Sequence, residues 1–168
     1  MGPDGTWRYQ WPAGSRFLEE IAGLVSVAAQ RVIDLGCGQG RLGRWAQAAG
    51  AAEVLFADYA ADALAAIPDL PRTNRLVHAW GEPLPACDVL LGGDILYRPD
   101  SFPVLLDSVA SALGTPGATA WLVDPRTSLE DELPQLAAAR GLTWSVERRP
   151  AQYTLVRLTL QPCGTRVV

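Results

Sequence analysis

Short apolar runs alternate with segments of helical spacing along most of this chain. The run Val32-Ile33-Asp34-Leu35 is rich in β-branched residues and bounded by glycine, which indicates a buried strand over 31–35. Similar runs predict further strands at 53–58, 75–80, 88–92, 119–123, 142–147 and 153–160. The remaining periodic segments predict helices at 14–29, 41–49, 60–67, 101–113 and 128–140, with Ser15 as a candidate N-cap of the first helix.

This alternation of strands and helices is typical of a parallel sheet covered by helices. The last two strands are joined by residues 148–152, which are too few for a crossover helix, so that pair is predicted to be antiparallel. We therefore expect an α/β fold: a Rossmann-like, seven-stranded, mostly parallel sheet with an antiparallel last strand and helices on both faces. One domain is expected over 1–168, with an N-terminal segment and helix in 1–30 and the core sheet in 31–168.

Composition and charge narrow the function classes. The chain has 168 residues, of which 49% are hydrophobic and 19% charged, so a folded domain is expected. Its formal net charge is −4 and it has no long Lys/Arg run, which argues against nucleic acid and membrane surfaces as partners. The sequence shows neither a signal peptide nor a long apolar segment, so a cytoplasmic location is expected.

Cysteine and histidine are too sparse for a familiar metal or disulfide pattern. Cys37, Cys87 and Cys163 are widely spaced and form no C-x-x-C pair. His78 is the single histidine and is interpreted as a strand residue. No metal site and no disulfide framework are therefore predicted.

The glycine-rich turn after the first strand is the strongest motif. The segment 34–40 reads Asp-Leu-Gly-Cys-Gly-Gln-Gly and is followed by a predicted helix, as in nucleotide-binding βα units. Gly38, Gly40 and Gly43 also satisfy G-x-G-x-x-G, and Asp58 follows about 20 residues later, where an acid can bind a ribose hydroxyl. These features fit both NAD and S-adenosylmethionine, which share an adenosine. Asp34 and Gly36 favour the second ligand, while NAD stays a distant alternative.

The segment 32–40 resembles motif I of the class I, seven-β-strand methyltransferases. Other segments resemble a protein-lysine-methylating branch of that family, which includes the methyltransferase of the electron transfer flavoprotein β subunit. These are Trp-Pro-Ala-Gly at 11–14, Trp-Gly at 80–81, Asp-Ile-Leu-Tyr at 94–97 and Asp-Pro-Arg at 124–126. Position 79 is alanine where that branch usually has an acid, and residues 60–73 lack its asparagine-rich stretch.

The resemblance implies S-adenosylmethionine as cofactor and a role for each matching residue. Asp58 is expected to bind the ribose, Trp80 the adenine, Asp34 the cationic amino acid end, and Trp11 the methionine end. The expected cofactor-binding residues are Trp11, Asp34, Gly36, Gly38, Gly40, Asp58, Tyr59, Trp80 and Gly92. The expected catalytic residues, near the transferred methyl group, are Asp94 and Tyr97.

The resemblance further implies methylation of a lysine side chain on a protein substrate. Asp94-Ile-Leu-Tyr97 lacks the double proline of amino-methylating DNA enzymes, which argues against DNA as substrate. Two alternatives stay open: a small-molecule N- or O-methyltransferase, and a catalytically silent protein of the same fold that binds a partner. The oligomeric state is left open.

Overall fold

Seven strands form a single sheet in the computed structural model, which describes residues 5–126 and 129–161. The strands are β1 (Arg31–Leu35), β2 (Glu53–Asp58), β3 (Thr73–Val77), β4 (Val89–Gly93), β5 (Thr119–Asp124), β6 (Leu142–Arg149) and β7 (Tyr153–Leu160). Their order across the sheet is β3-β2-β1-β4-β5-β7-β6, and every neighbouring pair is parallel except the two that contain β7. The predicted, mostly parallel sheet with an antiparallel last strand is confirmed.

Among the described residues, five α-helices cover the two faces of this sheet, as expected. They are α1 (Pro12–Glu20), α2 (Arg41–Ala48), α3 (Ala61–Ala66), α4 (Phe102–Ala112) and α5 (Leu129–Ala138). Because side chains alternate along a strand, Ile33 and Leu35 of β1 join the core beneath α4 and α5. Val32 joins the core formed with α1, α2 and α3. The sheet is therefore buried on both sides, as its apolar strands require.

The first predicted helix is shorter than expected. It begins at Pro12 and ends at Glu20, and residues Ile21–Gly23 form a 3₁₀ turn rather than a continuation. Ser15 does not cap it, because Trp11 is the N-cap residue and the Ser15 hydroxyl donates back to the Trp11 carbonyl. The alanine-rich periodicity up to residue 29 therefore overestimated the helix.

Two other boundaries differ from the prediction. Strand β3 ends at Val77, so His78 and Trp80 lie in the loop after it and not within the strand. Strand β6 extends to Arg149, which shortens the final turn to three residues, 150–152. Ser128, where the last helix was predicted to start, and Cys163 lie outside the described residues. No helix within 5–126 or 129–161 is long and apolar enough to cross a membrane.

The strand order fixes where a ligand can lie. Strand β1 is flanked by β2 on one side and β4 on the other, so the connection after β1 runs to one side, while the connection after β3 crosses back to the other. The loops at the carboxyl ends of these strands diverge at such a switch point and open a crevice.

Candidate active site

A cavity of about 840 Å³ opens at this switch point. Such a volume is typical of small-molecule sites. Its walls come from the N-terminal segment, the glycine turn after β1, and the loops that follow β2, β3 and β4. The lining includes Trp7, Tyr9, Gln10, Trp11, Asp34, Gly36, Cys37, Gly38, Gln39, Asp58, Tyr59, His78, Ala79, Trp80, Gly93, Asp94, Ile95, Tyr97 and Arg98.

The glycine turn approaches the crevice closely because it has no side chains in the way. Gly36 and Gly38 have φ angles of +62° and +49°, in the left-handed region that favours glycine. A Cβ on Gly36 would lie 2.7 Å from Cγ2 of Ile95, so a larger residue would collide with the loop after β4. Both glycines line the cavity, as the sequence predicted.

Gly40 and Gly92, two predicted cofactor-binding residues, are not among the residues that line the cavity. A Cβ on Gly40 would lie 2.9 Å from Phe56, and one on Gly92 would lie 2.9 Å from Leu122. Their small size therefore serves packing within the core, between helix and sheet or between strand and loop. The glycine pattern alone cannot separate this packing role from contact with a ligand.

The Asp58 carboxylate is fixed at the end of β2. Its Oδ2 accepts the backbone N–H of Gly38 at 2.8 Å, and its Oδ1 accepts the N–H of Ala60 at 2.9 Å. The side chain is buried yet borders the cavity. Asp58 thus joins the glycine turn to the loop after β2, while the half-exposed Tyr59 ring stands beside it at the rim.

Asp34 lies deeper, at the floor of the same turn. Its Oδ2 accepts the backbone N–H of Gly43 at 2.7 Å, near the start of α2. Burial raises the pKa of this carboxyl to about 8, and the nearby Asp58 charge adds to the increase. A cation placed beside this carboxyl would lower its pKa and favour the ionised form.

The loop after β3 forms the side wall. Trp80 lines the cavity, and its ring lies 6.2 Å from the ring of Tyr97 in a tilted arrangement. His78 is buried, with Nε2 3.0 Å from the carbonyl oxygen of Glu82. Since a carbonyl only accepts, Nε2 carries the proton. The alanine at 79 also lines the cavity, so no carboxylate at that position reaches a ligand.

Asp94 and Tyr97, the predicted catalytic residues, also line the cavity. The two carboxylate oxygens of Asp94 accept the backbone N–H groups of Ala13 and Gly14, at 3.1 and 2.6 Å. Burial raises the pKa of Asp94, while these hydrogen bonds lower it by a smaller amount. Tyr97 follows on the exposed rim.

Several lining residues were not predicted from the sequence. Trp7 and Tyr9 come from the segment before α1, and Gln39 and Arg98 come from the loops after β1 and β4. The sequence does show aromatic residues at 7, 9 and 11. Such a short pattern, however, does not indicate which distant segment of the chain these side chains contact. Within the described parts of the chain, no group of three or more His, Cys, Asp or Glu side chains is arranged to hold a metal ion.

Comparison with known proteins gives the class. Residues 8–158 match the family described as "Methyltransferase domain", so the chain belongs to that family, and S-adenosylmethionine is the cofactor. The chain is thus a methyltransferase, which disfavours both the NAD alternative and the silent-protein alternative. Comparison with curated protein sequences finds no match.

Solved structures share the fold at low identity. An S-adenosylmethionine-dependent methyltransferase from Mesorhizobium loti has a TM-score of 0.65 and 17% identity, covering 86% of this chain and 97% of that one. A ribosomal protein L11 methylase from Lactobacillus delbrueckii subsp. bulgaricus has a TM-score of 0.69 and 16% identity, covering 89% and 79%. The DhpI–SAH complex has a TM-score of 0.68 and 18% identity, covering 89% and 84%.

The residues present fit the cofactor. The cavity combines a glycine turn that permits close backbone approach with a carboxylate at the end of β2 for a sugar diol. Aromatic rings at its mouth suit a sulfonium, because ring faces attract cations. Asp34 lies on the cavity floor, where a protonated amine can lower its pKa.

Proposed function

We propose that this methyltransferase transfers a methyl group to a lysine side chain of a protein. The observation that carries the proposal is the open, aromatic mouth of the cavity. Tyr9, Trp11 and Tyr97 line it and are 69%, 50% and 53% exposed. A long side chain on the surface of another protein can enter such an opening, and the aromatic walls suit its methylene stem.

The same cavity also offers groups for the cofactor, and we call the part lined by Asp34, Gly36, Gly38, Asp58 and Trp80 the cofactor half. Asp58 accepts hydrogen bonds from the ribose hydroxyls, and charge-assisted bonds of this type are strong. Gly36 and Gly38 bring backbone close to the methionine part, and the Trp80 ring packs against the adenine. Asp34 faces the amino acid end, where a positive charge favours its ionised form.

The chemistry requires little from the protein beyond alignment. S-adenosylmethionine, when bound, supplies a methyl group that is already activated for in-line displacement. The chain must hold the acceptor amine on the line of attack and keep water out. A lysine has an ordinary pKa of about 10.4, and aromatic walls lower it by desolvation. Tyr97, at the rim, is the predicted residue that positions the amine.

The resemblance to protein-lysine methyltransferases supports the protein substrate, and one structural neighbour is, by its name, a methylase of a ribosomal protein. A small-molecule N- or O-methyltransferase is the second candidate. The cavity volume of about 840 Å³ favours it, because that space leaves room for a small acceptor beside the cofactor. The cytoplasmic location and the absence of nucleic-acid and membrane partners stay predictions of the sequence.

One labelling experiment separates the candidates. Purified protein is incubated with cell extract and S-adenosylmethionine carrying a labelled methyl group, and the extract is divided by size before and after nuclease treatment. Label that stays with protein and is recovered as methyl-lysine after acid hydrolysis supports the proposal. Label confined to the small-molecule fraction contradicts it. Extract whose lysines were first blocked by reductive methylation is the matched control and must lose the protein signal.

A further inference from the structure

The N-terminus of α1 is capped from a distant part of the chain. Trp11 is the N-cap residue, and its side chain makes no capping hydrogen bond. Pro12 has no N–H, so the backbone donors of this first turn are those of Ala13 and Gly14, and the two oxygens of Asp94 accept both. A carboxylate at this end also complements the helix dipole. The cap therefore lies 80 or more residues away in sequence.

Two glycines allow this approach. A Cβ on Gly14 would lie 3.1 Å from Oδ2 of Asp94, and a Cβ on Gly93 would lie 3.2 Å from Cα of Gly14. Asp94 itself has a φ of +56°, which aspartate tolerates better than most residues, and its N–H donates to the Val123 carbonyl at 2.7 Å. Residues 11–14 and 93–94 thus form one joint between α1 and the end of β4.

Toward the N-terminus, the joint continues into a segment that we call the strap and define as residues 5–11. Gln39 of the glycine turn donates its amide to the Arg8 carbonyl at 2.7 Å. A Cβ on Gly38 would lie 3.5 Å from the carbonyl oxygen of Trp7, so the strap runs directly over the turn. Trp7, Tyr9 and Trp11 of the strap line the cavity.

We infer that Asp94 is a positioning residue, which holds the strap over the cofactor cavity by capping α1, rather than a proton acceptor for the substrate amine. Each carboxylate oxygen receives a backbone N–H, and protonation would neutralise the charge that strengthens both hydrogen bonds and favours the helix N-terminus. Its action on catalysis then passes through Trp7, Tyr9 and Trp11. The inference rests on the cofactor part of the proposed function and does not depend on the lysine substrate.

The test uses S-adenosylhomocysteine, the demethylated product, so no acceptor and no chemistry are involved. Its affinity is measured by calorimetry, and amide hydrogen exchange is followed over residues 5–14, for the wild type, Asp94→Asn and Gly14→Ala. Asparagine keeps the size and the left-handed backbone, but presents an N–H to one of the two donors. Gly23→Ala is the matched control, because a Cβ there meets nothing within 4 Å.

We expect both joint variants to weaken binding of the product about tenfold and to speed exchange of the strap amides, while Gly23→Ala changes neither. Wild-type affinity and wild-type exchange in a folded Asp94→Asn variant would overturn the inference. If the wild type itself binds no product, the cofactor assignment fails, yet the exchange measurement still decides whether Asp94 holds the strap.

A double-mutant cycle separates positioning from general loosening of the fold. Trp7→Ala removes the strap side chain nearest the glycine turn. If Asp94 acts through the strap, the effects of Trp7→Ala and Asp94→Asn on product affinity are not additive, because the second change has little left to remove. Additive effects on affinity would reject the coupling and leave Asp94 a structural residue only.

Discussion

The two halves of the cavity are built in different ways. In the cofactor half, Asp58 binds Gly38 and Ala60, which lie 20 and 2 residues from it, and Asp34 binds Gly43, nine residues away. In the acceptor half, Asp94 binds residues 80 and 81 positions away. The carboxylate contacts of the first half are therefore almost local, because they lie within β1, α2, β2 and the loops that follow β1 and β2. The second exists only after the N-terminal segment has packed against the end of β4.

This difference predicts different consequences of mutation. Carboxylates in the cofactor half hold backbone that itself borders the ligand, so their loss acts directly on cofactor binding. Side chains in the acceptor half act on the entrance and on the strap, so their loss acts on turnover, or on cofactor binding indirectly through the strap. The following predictions test that distinction, beginning with the largest expected effect.

Asp58→Ala is expected to abolish useful cofactor binding. It removes the proposed ribose acceptor and frees the N–H groups of Gly38 and Ala60, so the turn loses its fixed position. Charged hydrogen bonds contribute about 1.5–3 kcal/mol each, and we expect an affinity loss of at least about 100-fold for S-adenosylhomocysteine by calorimetry. Asp62→Ala, on the exposed side of α3, is the control. Equal affinity in the two variants would contradict the ribose assignment.

Asp34→Asn is expected to stabilise the fold increasingly from about pH 4 to about pH 8, and to weaken cofactor binding. The folded-state pKa of Asp34 is raised from 3.8 to about 8, so the folded protein holds a proton that the unfolded chain releases. The free energy of unfolding of the wild type therefore falls as pH rises between these values, by about 1.4 kcal/mol for each pH unit. Asparagine can still accept from Gly43 and has no such loss.

Urea unfolding of both proteins from about pH 4 to pH 9 measures this. The stability advantage of Asp34→Asn should grow with pH and be small near pH 4, where the unfolded carboxyl, with its ordinary pKa of 3.8, still keeps part of its protons. An advantage that does not depend on pH would mean that the carboxyl is ionised in the folded protein. Such a result would contradict the interpretation that burial of the Asp34 carboxyl lowers the free energy of unfolding at neutral pH.

Gly43→Ala is expected to destabilise the fold rather than to block the ligand. Its Cβ would collide with the Phe56 ring and lie 3.1 Å from Cβ of Asp34, so helix α2 would have to move away from the sheet. Overpacking of this kind costs about 1–3 kcal/mol. Gly114→Ala, with no heavy atom closer than 3.8 Å, is the control in the same urea measurement. Wild-type stability for Gly43→Ala would show that α2 is not held as closely as described.

The cofactor half was also the more predictable from sequence. The sequence could predict that the turn at 36–38 meets Asp34 and Asp58 in one cavity, because these residues follow each other along adjacent elements. Gly40 and Gly92 do not line the cavity, and their neighbours Phe56 and Leu122 come from other elements. Spacing indicates where glycine is needed, but it does not indicate whether a ligand or a side chain requires the space.

The acceptor half resisted prediction for a physical reason. Trp-Pro-Ala-Gly at 11–14 and Asp94 were recognised as separate segments, and only the fold shows that they touch. The helical periodicity covered 14–29, whereas the helix begins at Pro12, next to its tertiary cap. It ends at Glu20. Contacts between residues so far apart depend on the complete sheet, which local patterns do not encode.

Tyr97→Phe gives the smallest expected effect on binding and the sharpest comparison of the halves. The substitution keeps the ring that packs 6.2 Å from Trp80 and removes the hydroxyl at the exposed rim. Because Tyr97 is proposed to position the acceptor amine, product affinity should change by less than about twofold, while turnover with the protein acceptor falls about tenfold, equivalent to ~1.4 kcal/mol of transition-state free energy. Val104→Ala, a second exposed substitution at the cavity rim, should leave turnover within about twofold. If Tyr97→Phe instead weakened product binding as strongly as it slowed turnover, the two halves would not be separable, and the rim would have to be regarded as part of the cofactor site.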